Sequence, residues 1–128
     1  MASEKPLSPH IQIYRWEITM LVSILHRATG IAMVAGAALV VWMLLALASG
    51  PQTYDGFQRF VASPLGCLML LGWTVAIFLH LGNGIRHFFM DVGKGYEKAA
   101  ARRSAAAVLA FAVVMTLIVW CAACPWRS

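Results

Sequence analysis

The chain has 128 residues, of which 61% are hydrophobic and 12% are charged, and its mean hydropathy is +0.75. Soluble domains carry about 25% charged residues, so this composition excludes an ordinary soluble domain and the enzymes built on one. The formal net charge of +5 is compatible with nucleic-acid binding, but the basic residues gather at the ends of apolar segments. We therefore expect a membrane protein with no nucleic-acid partner.

Three apolar segments are long enough to cross a bilayer, which takes about 20 residues of helix. They cover about residues 21–49, 65–90 and 105–124 and leave no room for a soluble domain. We predict an all-α membrane protein with a single transmembrane anchor domain over residues 1–128. Its three transmembrane helices are expected to form an antiparallel bundle.

A polar, amphipathic arm, residues 1–20, precedes the first span. Pro6 and Pro9 exclude a regular helix at its start, and Tyr14 and Trp16 suit the headgroup layer. We expect the arm to lie along the cytoplasmic surface of the membrane. It shows neither an apolar signal sequence nor an Arg-rich transit peptide, which favours a protein of the bacterial inner membrane.

The basic residues predict the orientation, because cytoplasmic loops are enriched in Lys and Arg. Most of them lie before or early in the first span, or around the loop between the second and third spans: Lys5, Arg15, Arg27, Arg86, Lys94, Lys98, Arg102 and Arg103. Arg59 and Arg127 remain for the opposite side. We expect a cytoplasmic N-terminus, a periplasmic C-terminus, and contact of the basic residues with anionic lipid headgroups.

Near the start of the first span, Ser23, His26 and Arg27 have the i, i+3, i+4 spacing that places residues on one helical face. Such a patch of donors suits a quinone carbonyl or a haem propionate. Each residue alone has a plainer interpretation: a serine bonded to its own helix, a histidine satisfied at an interface, and an arginine reaching the headgroups.

Other features predict packing and connections. Ala28, Ala32 and Gly36 recur every four residues and indicate close helix packing. Between the first two spans we expect a turn at Tyr54–Gly56 and a short interfacial helix near Phe57–Val61.

The third span carries no charge and is expected only to pack against the others. Ser104 is predicted to cap its start. Cys121 and Cys124 have the spacing of a redox motif, but no βαβ pattern surrounds them and Pro125 follows, so an apolar helix end is the favoured interpretation.

The second span ends in the stretch richest in polar side chains. His80, Gly84 and His87 follow the i, i+4, i+7 pattern and share one helical face, which Gly72 and Ala76 continue. Small residues beside an imidazole leave room for a flat group to lie against the backbone.

His80 lies about 9 Å from Arg86 along the axis, at roughly 1.5 Å per residue, and therefore inside the hydrocarbon. An ionisable side chain at that depth is costly and indicates a functional site with a partner. A neutral imidazole is a good ligand for haem iron, so we predict that His80 ligates a haem. A histidine that only bonds across to another helix is the alternative. His87 is the weaker ligand candidate, and Arg86 is expected to pair with Asp91 or with a haem propionate.

Two motifs resemble the signatures of a known family, the cytochrome b subunit of succinate dehydrogenase in respiratory complex II (the SdhC family). The first runs from Pro6 to Tyr14 and continues at Ser23-Ile-Leu-His-Arg-Ala-Thr-Gly30. The second is His80-Leu-Gly-Asn-Gly-Ile-Arg-His87, followed by Asp91-Val-Gly-Lys-Gly95. The resemblance covers the whole chain. Phe88–Met90 is the one departure, at a position that varies in that family.

The resemblance implies a membrane-anchor and haem b subunit of a succinate:ubiquinone oxidoreductase that has no catalysis of its own. It implies one haem b, shared with a second hydrophobic anchor subunit that completes the bundle. It also implies an iron–sulfur subunit and a flavoprotein subunit on the cytoplasmic side, with electrons passing from the iron–sulfur subunit to ubiquinone.

The resemblance assigns roles to individual residues as well. His80 becomes the axial haem ligand, and Ser23 and Arg27 fall on the quinone-binding positions, where Arg27 stabilises negative charge as the quinone is reduced. The resemblance also places His26 and Arg27 near the haem propionates. From the residues of the second span themselves, Arg86 and His87 are further candidates for contact with the propionates or for support of the ligand.

Several alternatives stay open. An anchor of a fumarate reductase complex has a similar build, since the sequence does not fix the direction of the reaction. A structural anchor would hold no cofactor at all. A small transporter or channel that uses His80 and Arg86 as a relay is disfavoured, because no inverted repeat is visible and the polar residues gather on one side.

Overall fold

The computed structural model describes residues 15–123, which fold into four helices. They are α1 (Ile18–Ala48), α2 (Pro51–Ala62), α3 (Pro64–Asp91) and α4 (Lys98–Ala123). The helices α1, α3 and α4 are each long and apolar enough to cross a membrane. The predicted all-α fold with three transmembrane helices is confirmed. The surface position expected for residues 1–14, and the interpretation of Cys124, lie outside the described residues.

The connections around α2 are short because the residues in them suit helix ends. Gly50 follows α1 with a φ of 108°, a conformation that glycine adopts readily, and Pro51 occupies the first turn of α2. Ser63 separates α2 from α3, and its hydroxyl oxygen accepts a hydrogen bond from the Gly66 amide at 3.1 Å. Pro64 then begins α3. The chain is thereby turned back so that α3 packs along α1.

The helix α2 is longer than the one predicted near Phe57–Val61, and the turn predicted at Tyr54–Gly56 is wrong because these residues lie inside α2. Phe57 is buried and meets Trp42 of α1 edge to face, with ring centroids 5.0 Å apart. This tertiary contact supports a helix in a segment whose Asp and Gly suggested a turn.

The helix α4 begins at Lys98, so Ser104 lies inside it and the predicted N-cap role of Ser104 is wrong. Residues 98–103, which precede Ser104, consist of Lys, Ala and Arg, and these are strong helix formers. Glu17, just before α1, lies 3.7 Å from both Lys98 and Arg102. The starts of α1 and α4 therefore lie at the same end of the bundle.

The helix α3 is central, because it packs extensively against both α1 and α4, whereas α1 and α4 share fewer contacts. The buried core near the α4 start joins Val22 of α1 to Ala105 and Val108 of α4, with Leu79 of α3 packed against them. These short side chains let the helices approach closely, which holds the polar groups described below at fixed distances.

The face that α1 turns toward the bundle carries Val22, Thr29 and Gly36, which are buried and seven residues apart. A seven-residue spacing keeps side chains on the seam between two helices that cross at a shallow angle. Of the predicted stripe of Ala28, Ala32 and Gly36, Gly36 is the residue that is fully buried by packing within this chain. Ala28 is exposed and Ala32 is half-buried.

Large apolar side chains cover the outside of the bundle. Ile31, Val34 and Leu68 are 76%, 73% and 66% exposed. Apolar surface on this scale is typical of a protein that meets lipid or other protein chains. The described part of the chain therefore presents apolar faces suited to lipid or to other protein chains.

Candidate functional site

Three histidines from two helices gather in the bundle. His80 and His87 project from the same face of α3, and His26 projects from α1 close to both. The ring of His26 stacks on that of His80, with centroids 4.1 Å apart and planes 15° apart. Its centroid is 5.3 Å from that of His87, with the rings tilted by 45°. The structure thus brings the predicted haem ligand together with two residues predicted to support it.

A threonine that the sequence analysis missed contacts the predicted ligand. Thr29 of α1 is 6% exposed, and its Oγ1 lies 3.2 Å from Nδ1 of His80. The same hydroxyl donates a hydrogen bond to the carbonyl of His26 at 3.0 Å. One feature of the sequence could have predicted this contact. Thr29 lies seven residues from both Val22 and Gly36, and this spacing places it on the packed face of α1.

Space remains beside the His80 face of α3. A Cβ atom added at Gly72 or Gly84 would meet nothing within 4 Å. On α1, a Cβ added at Gly30 would lie 3.6 Å from Cε1 of His80, so the imidazole rests close to the α1 backbone. Ala76, on the same predicted strip, is buried against the neighbouring helices. The strip is therefore open at its glycines and closed at Ala76.

The Nδ1 atom of His26 is buried and has no hydrogen-bond partner within residues 15–123. An unsatisfied buried polar atom costs about 1–3 kcal/mol, so such atoms usually serve a ligand or a partner. His26 is one of the residues for which the family resemblance implies contact with a haem propionate.

Ser23 and Arg27 lie one turn apart on α1 and share a shallow pocket with a volume of about 270 Å³. The pocket is lined by Thr19, Met20, Ser23, Ile24 and Arg27. None of the three histidines lines it, because His26 turns toward α3. The single patch expected for Ser23, His26 and Arg27 is therefore divided between this pocket and the histidine cluster.

Arg86 is 7% exposed and directed at α4. Its Nε donates to the hydroxyl of Ser104 at 3.1 Å, and its Nη1 donates to Oδ1 of Asn83 at 3.5 Å. Asn83 in turn donates from Nδ2 to the carbonyl of Val22 at 3.4 Å. These hydrogen bonds link all three long helices.

The position of Arg86 corrects the sequence analysis. The expected ion pair with Asp91 is not formed, since within residues 15–123 both ion pairs belong to Glu17. The guanidinium is also directed at Ser104 and Asn83 and not at the histidine cluster. The other expectation, contact with a haem propionate, stays a prediction, but these hydrogen bonds favour a structural role for Arg86.

These features define a class of protein, an all-α membrane subunit. Its three spanning helices hold a histidine cluster and a small polar pocket, and they leave apolar faces for other chains.

Comparison with known proteins gives the family. The family model described as "Succinate dehydrogenase/Fumarate reductase transmembrane subunit" matches residues 1–119. The chain is similar to the succinate dehydrogenase cytochrome b556 subunit of Paracoccus denitrificans, with 41% identity over 89% of this chain and 88% of the relative. The subunit of the same name from Rickettsia felis is 32% identical over 92% of each chain. The mitochondrial succinate dehydrogenase cytochrome b560 subunit of Sus scrofa is 37% identical over 91% of this chain and 70% of the relative.

The chain belongs to the family of transmembrane subunits of succinate dehydrogenase and fumarate reductase. The resemblance seen in the two sequence motifs is thereby confirmed. Together with its three spanning helices, this family makes the chain a multi-pass inner-membrane protein and a subunit of a larger complex.

Proposed function

We propose that this chain is the membrane-anchor and haem b subunit of a succinate:ubiquinone oxidoreductase. It holds one haem b together with a second hydrophobic anchor subunit. It contributes to the site where ubiquinone is reduced by electrons from the iron–sulfur subunit. The observation that carries the proposal is the hydrogen bonding of the His80 ring. Its Nδ1 contacts Thr29, while its Nε2 makes no hydrogen bond within residues 15–123 and is left for a ligand.

The chemistry of these residues fits a b-type haem. Imidazole is a common axial ligand of haem iron, and a ligating histidine usually donates its other ring N–H to a nearby oxygen atom. Thr29 supplies that oxygen for His80. When bound, the haem supplies one-electron storage, while the protein sets the ligand and the local dielectric. We assign the propionates to His26, whose buried Nδ1 lacks a partner among the described residues, with Arg27 and His87 as further donors.

The pocket on α1 is proposed as this chain's part of the quinone site. Ser23 donates to a quinone oxygen or orients it, and Arg27 places a fixed positive charge where negative charge develops during reduction. The described residues that line the pocket all come from α1. We therefore expect the iron–sulfur subunit to complete the site.

The ends of the helices support a cytoplasmic location for this pocket. Glu17 pairs with Lys98 and Arg102 at the same end of the bundle, and Lys94 is exposed in the α3–α4 connection. Basic residues at the helix ends are typical of the cytoplasmic side. We propose that the iron–sulfur and flavoprotein subunits dock on this end, with the N-terminus in the cytoplasm and the C-terminus in the periplasm.

Purification in mild detergent tests the proposal, because it retains bound subunits and pigments. We expect four subunits, a b-type absorbance spectrum, and reduction of ubiquinone by succinate. An assembled complex with no b-type spectrum would instead indicate a structural anchor. A complex that reduces fumarate much faster than it oxidises succinate would indicate the fumarate reductase variant.

A further inference from the structure

The hydroxyl of Thr29 makes two hydrogen bonds of different kinds. It has one proton, and that proton is donated to the carbonyl of His26 at 3.0 Å, a carbonyl three residues earlier in the same helix. With its proton on that carbonyl, the hydroxyl offers a lone pair of Oγ1 to Nδ1 of His80, 3.2 Å away. This arrangement favours the tautomer in which Nδ1 carries the proton and the lone pair of the imidazole is on Nε2.

We infer that Thr29 is a positioning residue for His80, because it fixes the tautomer of the imidazole and makes Nε2 a more basic ligand. The inference rests on the proposed function, in which His80 ligates haem iron. A hydrogen bond accepted from the distal N–H of a ligating histidine fixes the ring orientation and raises its basicity. A more basic ligand stabilises ferric over ferrous iron, so this contact lowers the reduction potential of the haem.

No other group within residues 15–123 replaces the Thr29 oxygen. The contact with Thr29 is the hydrogen bond that the structure shows for the His80 ring. The face of the ring is covered by His26, with centroids 4.1 Å apart, and the backbone at Gly30 lies near Cε1. Thr29 is itself buried, at 6% exposure, which limits access of water to Nδ1. Loss of the hydroxyl therefore leaves the N–H of His80 without an acceptor.

Thr29→Val tests this inference, because it keeps the branched shape and replaces the hydroxyl with a methyl group. Thr29→Ser keeps the hydroxyl and removes the methyl group. Thr116→Val is the matched control, since Thr116 is also 6% exposed but its hydroxyl is buried without a partner in the described chain. The readout is the midpoint potential of the haem in the assembled complex, from a redox titration followed by absorbance.

We expect Thr29→Val to raise the midpoint potential, Thr29→Ser to restore it, and Thr116→Val to leave it unchanged. If the Thr29→Val complex does not assemble, Thr29→Ala takes its place. This variant removes both the hydroxyl and the methyl group, and its midpoint potential is compared with that of Thr29→Ser. An unchanged potential in a normally assembled Thr29→Val complex would overturn the role of Thr29 while leaving the haem assignment intact. Equal shifts in Thr29→Val and Thr29→Ser would also overturn it, because they would reflect packing. A wild-type complex with no b-type spectrum would overturn the proposed function itself, and this inference with it.

Discussion

The imidazole of His26 lies flat against that of His80, with ring centroids 4.1 Å apart. The stack covers one face of the proposed ligand and leaves free its Nε2 edge, which would hold the haem iron. It also joins the two proposed sites, because His26 precedes Arg27 on α1 and His80 belongs to α3. His26 is thus the residue of α1 that contacts the proposed ligand and directly precedes a residue of the proposed quinone pocket in the sequence.

Removing the charge of Arg27 should impair quinone reduction selectively. In Arg27→Ala, no fixed cation stabilises the charge that develops on the quinone, and loss of one such interaction typically costs about 10²–10³-fold in rate. We expect Ser23→Ala to have a smaller effect in the same direction. The measurement compares succinate-driven reduction of a ubiquinone analogue with reduction of an artificial dye, which takes electrons upstream.

The matched control for Arg27 is Arg103→Ala, which removes an exposed cation from the start of α4. It should leave both rates close to wild type. If dye reduction falls in parallel with quinone reduction in Arg27→Ala, the residue acts on assembly and not on the quinone.

Enlarging Gly36 should loosen the contact between α1 and α3. A Cβ atom at this position would overlap the indole of Trp73, so Gly36→Ala forces the indole or one of the two helices to shift. Overpacking of this kind costs about 1–3 kcal/mol. We expect a lower temperature for loss of the haem spectrum and a lower yield of complex.

Gly56→Ala is the control for Gly36, because a Cβ there meets nothing within 4 Å and the residue lies inside α2. Replacing glycine by alanine within a helix stabilises it by about 0.5–1 kcal/mol. A Gly36→Ala complex as stable as wild type would show that α1 and α3 do not approach as closely as described.

Replacing Arg86 should destabilise the bundle without altering the haem. Arg86→Met leaves Ser104 and Asn83 without their donor in a buried region, and each unsatisfied buried group costs about 1–3 kcal/mol. We expect lower thermal stability and a wild-type haem potential. Lys98→Met is the control, since its side chain is 80% exposed and exposed ion pairs contribute little. A shifted haem potential with unchanged stability in Arg86→Met would instead indicate that Arg86 contacts a haem propionate.

The sequence was sufficient for the existence of the three spanning helices and for the face that carries the predicted ligand. Hydropathy over about 20 residues identifies a membrane span without knowledge of its neighbours. The seven-residue spacing of His80 and His87 places them on one helical face, because two turns of helix take about seven residues.

The contacts between helices were harder to predict, because they depend on how each helix is rotated against the next. Thr29 and Arg86 show this difficulty: one contacts the proposed ligand and the other is directed at α4. The sequence assigned no role to Thr29, and it suggested Asp91 or a haem propionate as the partner of Arg86. Tyr54–Gly56 has turn-forming residues, but the packing of Phe57 on Trp42 accompanies a helix there. In each case a tertiary contact decided between local alternatives.

The most direct test of the account is the absorbance spectrum of the complex assembled with His80→Leu, compared with that of His87→Leu. We predict that His80→Leu removes the low-spin b-type spectrum, because the iron loses its axial ligand from this chain. The His87→Leu complex should retain that spectrum, since His87 is proposed to support the haem and not to ligate it. An unchanged low-spin spectrum in His80→Leu, or its loss in His87→Leu alone, would contradict the assignment of the ligand.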